Sequence, residues 1–323
     1  LFAFFGMMLG ALVLSLVLSR WMLSTVSVSR DLPQRTFARR VVHLRYRLRH
    51  RRRRGAVTGL ELREHDPPEG IDAVGAYCLY LPPGGVFSSG ARFVARQRGR
   101  AVLGGLQVST RFPFSLTTAR RTVHCADDLI VWPALGRLRR DLLVRGAAEV
   151  SDSAPSQLRS GADEFFGVRD YRRGDNPRWI HWKRSAGRSA PVVREMSKPL
   201  PDVLYVVLDA RADGADTESL EQRERLIRFV ATLIEHAFHR EFRVGLVTGA
   251  DADAVTALPA AAGLGQRQAL LDALAGIGAP QAGLGEVLAE LPRRDLRSAM
   301  VFVVSADARR LPDLGPLRAA SRQ

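Results

Sequence analysis

The hydrophobic positions of the chain fall into three successive patterns. Residues 1–19 are apolar or small and carry no charge, so they form one uninterrupted run. Between 26 and 135 the apolar positions are short and alternating, with breaks at Pro67-Pro68 and at 82–85. Beyond 200, short apolar runs alternate with stretches of helical period. The pattern therefore predicts three structurally different regions.

The first run predicts a transmembrane helix over residues 1–24. With Trp21-Met22-Leu23 it provides the roughly 20 residues that cross a hydrocarbon layer of ~30 Å. Arg20 and Trp21 lie where a cation and an aromatic ring anchor a helix at the membrane interface. A cleaved signal peptide and a buried core helix remain the alternatives, although the apolar run is long for a signal peptide.

The alternating region predicts a β-sandwich-like domain over 25–135. Residues 41–48 show the pattern best, with one basic face and one apolar face. No convincing amphipathic helix interrupts the region, and turn residues separate its segments. The predicted strands are 41–48, 57–63, 75–81, 91–97, 101–109 and 128–132.

The last region, residues 201–323, predicts a doubly wound α/β domain. Val203–Leu208 is a continuous apolar run, which is typical of a strand buried on both faces. Its succession of strand and helix patterns favours a parallel sheet, and the fold class is α+β multi-domain. The further predicted elements are a helix over 217–240, strands at 243–248 and 299–305, a hairpin partner at 254–258, and helices over 265–275 and 284–291.

The net charge of +15 comes mainly from one block, because residues 20–54 contain twelve arginines and a single acid, Asp31. Basic residues close to a span favour the cytoplasmic side, so we expect a cell-membrane protein with its bulk in the cytoplasm. Arg30, Arg35, Arg39 and Arg40 are counted in this block. Nucleic acid is not expected as a partner, since no known nucleic-acid-binding motif accompanies the block, but a basic binding module stays an alternative. Cys78 and Cys125 show neither metal spacing nor a disulfide framework.

Residues 136–200 form a separate segment whose aromatic and charged residues alternate closely. The strings EFFGVRDY (164–171), GDNPRWI (174–180) and WKRSA (182–186) resemble the signature of the family called domain of unknown function 58. That family usually has an Asp before the second Trp, where this chain has His181. The run PFSL (113–116) also resembles a family string, Pro-Phe-Gly-Leu, with Ser115 in place of the Gly.

The signature supplies the candidate site residues. Their charge-assisted hydrogen bonds and aromatic rings are typical of a partner-binding surface, or of a structural network that fastens two domains together. Pro177 to Trp182 is predicted to form a short helix with Trp179 and Trp182 on one face. The candidates are Glu164, Arg169, Tyr171, Asp175, Arg178, Trp179, Trp182, Lys183 and Arg184.

The resemblance also implies a von Willebrand factor A-like domain at 201–323, a further span before residue 1, and a sequence incomplete at both ends. Such domains bind a divalent cation through an Asp-x-Ser-x-Ser string, whereas this chain has Asp209-Ala210-Arg211-Ala212-Asp213. The degenerate metal candidates are Asp209, Asp213 and Asp307. Because the Arg211 guanidinium would compete with a cation for these carboxylates, we expect no cofactor, and a divalent metal stays an alternative.

The function expected from the sequence is a membrane-anchored, non-enzymatic scaffold or adaptor. The resemblance implies a MoxR-type AAA+ ATPase as the partner. No catalytic residue is expected, and the alternative is a hydrolase-like enzyme centred on the signature, with His181 as an acid–base group.

Overall fold

A computed structural model describes most of the chain. Contacts between residues divide the chain into two compact bodies, 1–136 with 271–277 and 137–270 with 278–323. The described residues are 1–73, 75–138, 143, 164–172, 177, 180–187, 190–197, 203–211, 214, 216–250, 254–280, 282–292 and 299–306.

The described helices are α1 (Phe2–Ser24), α2 (Trp182–Ser185), α3 (Thr217–Phe238), α4 (Leu264–Gly276) and α5 (Leu284–Ala289). The strands of the first body are β1 (Val26–Asp31), β2 (Arg35–Phe37), β3 (Val41–His50), β4 (Val57–His65), β5 (Ile71–Ala73), β6 (Ala76–Leu81), β7 (Val86–Ala95), β8 (Gly99–Thr110) and β9 (Ala119–Trp132). Those of the second body are β10 (Glu164–Asp170), β11 (Val192–Ser197), β12 (Val203–Leu208), β13 (Arg243–Gly249), β14 (Val255–Ala261) and β15 (Ala299–Val304).

The first body contains two sheets that share one hydrophobic core. Their strand orders are β1-β3-β7-β5 and β2-β9-β8-β4-β6, and every pairing is antiparallel except that of β2 with β9. Strand β3 shows how alternating residues form this core, because Leu44, Tyr46 and Leu48 are buried on one face while Arg45 and Arg47 are exposed on the other. The β-rich region and the basic face predicted for 41–48 are confirmed.

Helix α1 is apolar along its whole length and joins the first body at its carboxyl end. It is long and apolar enough to cross a membrane, and little of it is buried. Ser15, Ser19 and Met22 are buried against the body. One Arg121 nitrogen donates to the Leu23 carbonyl at 2.7 Å and to the Val26 carbonyl at 3.0 Å. A cation there also complements the helix dipole.

Arg30 corrects the interpretation of the basic block, because its side chain is 0% exposed and lies inside the first body. It forms an ion pair with Glu64, 2% exposed, and bonds through Nε to Asp127, 38% exposed, at 2.9 Å. It also donates to the carbonyls of Leu103 and Cys125, at 3.0 Å each. A register irregularity between β8 and β9 lies at the same point. Arg30 therefore belongs to a core network and not to a membrane-facing surface.

The network also holds the hydroxyl of Tyr46, which donates to Glu64 at 2.7 Å. Burial, together with this bond to a carboxylate, raises the pKa of Tyr46 far above its usual value. Burial lowers the pKa of Arg30, but its hydrogen bonds to Glu64 and Asp127 outweigh that effect and leave the pKa raised. Tyr46 therefore stays neutral and Arg30 stays charged over the range in which proteins are usually stable.

The second body is built on a sheet of order β14-β13-β12-β15. Strand β12 pairs in parallel with β13 and β15, and β14 adds an antiparallel edge. All residues of β12 are buried, as the apolar run predicts. Tyr205 and Val207 pack with Val287 of α5, whereas α3, which also contacts β12, lies against the opposite face of that strand.

A second, two-stranded sheet pairs β10 with β11 in antiparallel fashion. An isolated bridge between Ile180 and Val193 extends the pairing beside β11. The helix predicted over 177–182 is wrong at its carboxyl end, because Ile180 lies in this bridge and the helix begins only at Trp182. The backbone bonds of β11 with its neighbours take precedence over a continuous helix there.

Candidate functional site

The described part of the signature presents α2 on the edge of the β10–β11 pair. The His181 amide donates to the Val192 carbonyl at 2.7 Å. Ser185 then links both ends of the turn, since its Oγ donates to the His181 carbonyl at 3.0 Å and accepts from the Val192 amide at 2.9 Å. Two of these hydrogen bonds therefore fix a single helical turn to Val192 of β11, and the third closes the turn itself.

His181 is the N-cap of this turn. Its Nδ1 accepts a hydrogen bond from the Arg184 amide at 3.3 Å, which requires the tautomer protonated at Nε2. The family's usual Asp at this position is a preferred N-cap residue, so the same bond explains both residue types. Ser185 directs its hydroxyl to the backbone of His181 and not to the imidazole. The geometry therefore gives His181 a structural role and does not pair it with a serine nucleophile.

The outer side of α2 is exposed. The side chain of Trp182 is 69% exposed, and Lys183 and Arg184 are exposed beside it. A large aromatic ring with two neighbouring cations is the composition that binding hot spots favour, and charge attracts an acidic partner surface. We name Trp182, Lys183 and Arg184 the α2 face.

The other predicted signature residues are placed only in part. Tyr171 is half-buried, and its amide donates to the Pro191 carbonyl at 2.8 Å. Glu164 and Arg169 lie in β10. Asp175, Arg178 and Trp179 lie outside the described residues. Of the four candidates whose side chains the structure describes, Trp182, Lys183 and Arg184 lie together on α2.

A second site lies at the carboxyl edge of the parallel sheet. Asp209 follows β12, and Ser305, which the sequence did not single out, follows the neighbouring β15. The Ser305 hydroxyl donates to Asp209 Oδ2 at 2.9 Å, and the Arg211 amide donates to Oδ1 at 3.2 Å. Both oxygens of the buried Asp209 carboxylate therefore already accept bonds from the protein.

Of the three metal candidates, Asp209 is the one that lies among the described residues. Asp213 and Asp307 lie outside the described residues. Among the residues that the structure does describe, no group of three or more His, Cys, Asp or Glu side chains could hold an ion. The Arg211 guanidinium extends toward Gly283, with Nη1 3.7 Å from where a Cβ on that glycine would lie. Gly283 is the N-cap of α5, so an arginine occupies the edge at which open α/β sheets bind ligands.

The chain therefore has an N-terminal apolar helix, a β-rich body and a second body built on a mainly parallel sheet. Residues 167–316 match the family described as "Protein of unknown function DUF58", and this confirms the resemblance recognised in the signature. This part of the chain, which carries both the α2 face and Asp209, is therefore a DUF58 region.

Other comparisons add little. No curated protein matches the chain. The CARDB domain of PF1109 from Pyrococcus furiosus is 11% identical, with 33% of this chain and 94% of that domain covered, at a TM-score of 0.21. Spo0M, a sporulation control protein from Bacillus subtilis, is 9% identical, with 46% and 58% covered, also at 0.21. TM-scores this low do not indicate a shared fold.

Proposed function

We propose that the chain is a membrane-anchored, non-enzymatic adaptor that binds a protein partner through the α2 face. The observation that carries this proposal is the exposure of Trp182 and two cations on a turn fastened by hydrogen bonds to β11. Single exposed aromatic residues are common on protein surfaces, so the support comes from the combination of Trp182 with two adjacent cations, which is the composition of binding hot spots. The capping role of His181 accounts for that residue without catalysis.

The proposed partner is a MoxR-type AAA+ ATPase, and this choice comes from the family resemblance. Lys183 and Arg184 favour an acidic surface on that ATPase. We also propose that α1 crosses the cell membrane and that both bodies lie in the cytoplasm. Exposed arginines near the helix support this orientation even with Arg30 removed from the count, because Arg39, Arg40 and 51–54 remain exposed.

For the second body we propose a von Willebrand factor A-like fold. Numbered from β12, its sheet has the order 3-2-1-4, which agrees with the first half of a doubly wound sheet. Asp209 and Ser305 then follow the two strands at which the strand order reverses, where such folds bind ligands. Arg211 in place of a ligand serine favours a domain without a metal ion.

Affinity purification tests the partner. The full chain, solubilised from the membranes of the cells that produce it, should retain an AAA+ ATPase. Trp182→Ala and Lys183→Glu should lose it, whereas Leu220→Ala, an exposed apolar residue on α3, and Arg92→Glu, an exposed cation on β7, should not. Equal retention by all four variants, or no ATPase with the unaltered chain, would overturn the proposal.

Protease treatment tests the orientation separately. Protease added outside whole cells should leave the bodies intact, and it should digest them once the membrane is opened. Digestion in intact cells would place the bodies on the outer side, and release of the chain without detergent would refute the anchor.

A further inference from the structure

The loop between β8 and β9, residues 111–118, exposes three large apolar side chains. Phe112 is 38% exposed, and Phe114 and Leu116 are 52% exposed each. The loop is ordered by its own bonds, since the Ser115 amide donates to the Arg111 carbonyl at 2.8 Å and the Phe112 amide donates to Thr110 Oγ1 at 3.2 Å. The three side chains therefore project from a defined turn, and neighbouring residues leave much of each uncovered.

This loop lies beside α1. Thr117 Oγ1 is 3.3 Å from the Oγ of Ser15, a residue in the middle of the apolar helix. Strands β8 and β9 both contact α1 as well. Inside a bilayer a hydroxyl group finds no water, so it needs a partner from the protein. The bond between Ser15 and Thr117 meets this need. The contact fixes the loop at the level of Ser15.

The level of Ser15 can be placed relative to the membrane interface. Trp21 lies six residues further along α1, which corresponds to about 9 Å at 1.5 Å per residue. Trp21 is the expected interfacial anchor, and the Arg52 guanidinium lies over its ring, 5.3 Å from the centroid. The loop at Ser15 then lies about 9 Å deeper than that anchor, within the ~5–10 Å depth that interfacial apolar surfaces reach.

The positions of the charged residues along α1 agree with this depth. The turn that contains Arg51 to Arg54 is exposed at the level of Trp21, where anionic headgroups would lie. Apolar side chains lie deep, and an aromatic residue and cations lie at the boundary. This gradient fits a lipid surface better than a protein partner.

We propose that Phe112, Phe114 and Leu116 of this loop insert into the lipid bilayer beside α1, as a second membrane contact of the first body, with the exposed Arg111 at the base of the loop. The proposal rests on the proposed membrane anchor, because the depth is counted from the interface of a spanning α1. The basic turn at 51–54 binds anionic headgroups at the same time, so the first body faces the membrane in one fixed orientation.

Depth-dependent fluorescence quenching of the full chain tests this insertion. In a Cys78→Ala/Cys125→Ala background, single cysteines replace Phe114 or Leu116 and carry an environment-sensitive fluorophore. The chain is reconstituted in vesicles of phosphatidylcholine and phosphatidylglycerol with nitroxide-labelled acyl chains. Val13→Cys, exposed on α1, reports insertion of the helix. Val102→Cys is the control, since it is exposed on β8 eight residues from Thr110, about 26 Å along the strand.

Labels at 114 and 116 should show blue-shifted emission and lose fluorescence to the nitroxide as the label at 13 does, while the label at 102 should not respond. Quenching at 13 with 114 and 116 behaving like 102 would overturn the loop insertion and leave the anchor standing. No quenching at 13 would overturn the anchor, and the loop proposal with it. Two loop positions are used so that a local disturbance at one cannot decide the result.

Discussion

Replacement of Arg30 by methionine removes the cation of the buried network and keeps most of the length of the side chain. Glu64 would then stay in the core with the Tyr46 hydroxyl as its remaining side-chain donor. Loss of one partner of a buried ion pair costs about 3–5 kcal/mol, because the other charge is left without compensation. Asp127 is partly hydrated and adds less. We therefore expect the free energy of unfolding to fall by at least about 3 kcal/mol.

Arg100→Met is the matched control. Arg100 forms an ion pair with Asp128 at 2.8 Å, a distance like that within the Arg30 network, but its side chains are 71% and 57% exposed. It also joins β8 and β9, the strands that carry part of the Arg30 network. Exposed pairs contribute ~0–1 kcal/mol, so this variant should stay close to the unaltered chain.

Thermal unfolding of the full chain in non-ionic detergent, followed by circular dichroism, measures the difference. For domains of 150–250 residues each kcal/mol shifts Tm by roughly 2–4 °C, and by more for smaller domains. The first body lies just below this size range, so a loss of about 3 kcal/mol should lower Tm by at least roughly 6–12 °C. Leu48→Ala, which truncates a buried residue of β3, identifies the transition of the first body. Arg30→Met/Glu64→Gln should recover part of the loss, because glutamine removes the unpaired charge and still accepts from Tyr46.

If Arg30→Met and Arg100→Met lowered Tm equally, burial would not make the Arg30 ion pair more important for stability than an exposed pair. A double variant as unstable as the sum of its single variants would show that the charge left on Glu64 is not what destabilises Arg30→Met.

Three further predictions follow from other groups. Because the folded pKa of Tyr46 lies above the unfolded value near 10, the stability it contributes is complete below pH 10 and is lost as the pH rises further. The Tm of Tyr46→Phe should therefore fall less steeply than that of the unaltered chain between about pH 9 and pH 11, and parallel curves would contradict the shift. His181→Ala should speed hydrogen exchange at the Arg184 amide, which would keep only its bond to the carbonyl of residue 181, whereas His181→Asp should preserve its protection; equal exchange in both would show that the cap is not the cause. Titration calorimetry with Mg²⁺ or Mn²⁺ should detect no binding, since both oxygens of Asp209 accept protein donors; micromolar binding that Asp209→Ala abolishes would prove this wrong.

Elements with a strong hydrophobic period could be predicted from the sequence. The run 203–208 and the period over 217–240 appear as β12 and α3, and the hairpin partner at 254–258 appears as β14. The buried face of each of these elements sets the spacing of its apolar residues, so the spacing predicts the element. The sequence does not predict strands β1 and β2, because Val26–Asp31 and Arg35–Phe37 carry more polar than apolar residues and depend on partners distant in sequence.

The candidate sites also contain residues that the local sequence reveals and residues that depend on contacts distant in sequence. Trp182, Lys183 and Arg184 were recognised because rare residues recur at fixed spacing, but the capping by His181 needed the geometry of α2. Ser305 reaches Asp209 only because β12 and β15 are neighbours, and no local signal marks it. Arg30 was assigned to the basic block, since a sequence cannot show that Glu64 and Asp127 from other strands surround it.

A single residue, Thr25, separates the end of α1 from the start of β1, and Arg121 bonds carbonyls on both sides of it. There is no hinge at this junction, so helix and sheets must turn together. Helices adapt to thinner or thicker bilayers by tilting. In a membrane-spanning chain, a change in bilayer thickness would thus rotate the whole first body and alter the angle at which it meets the surface.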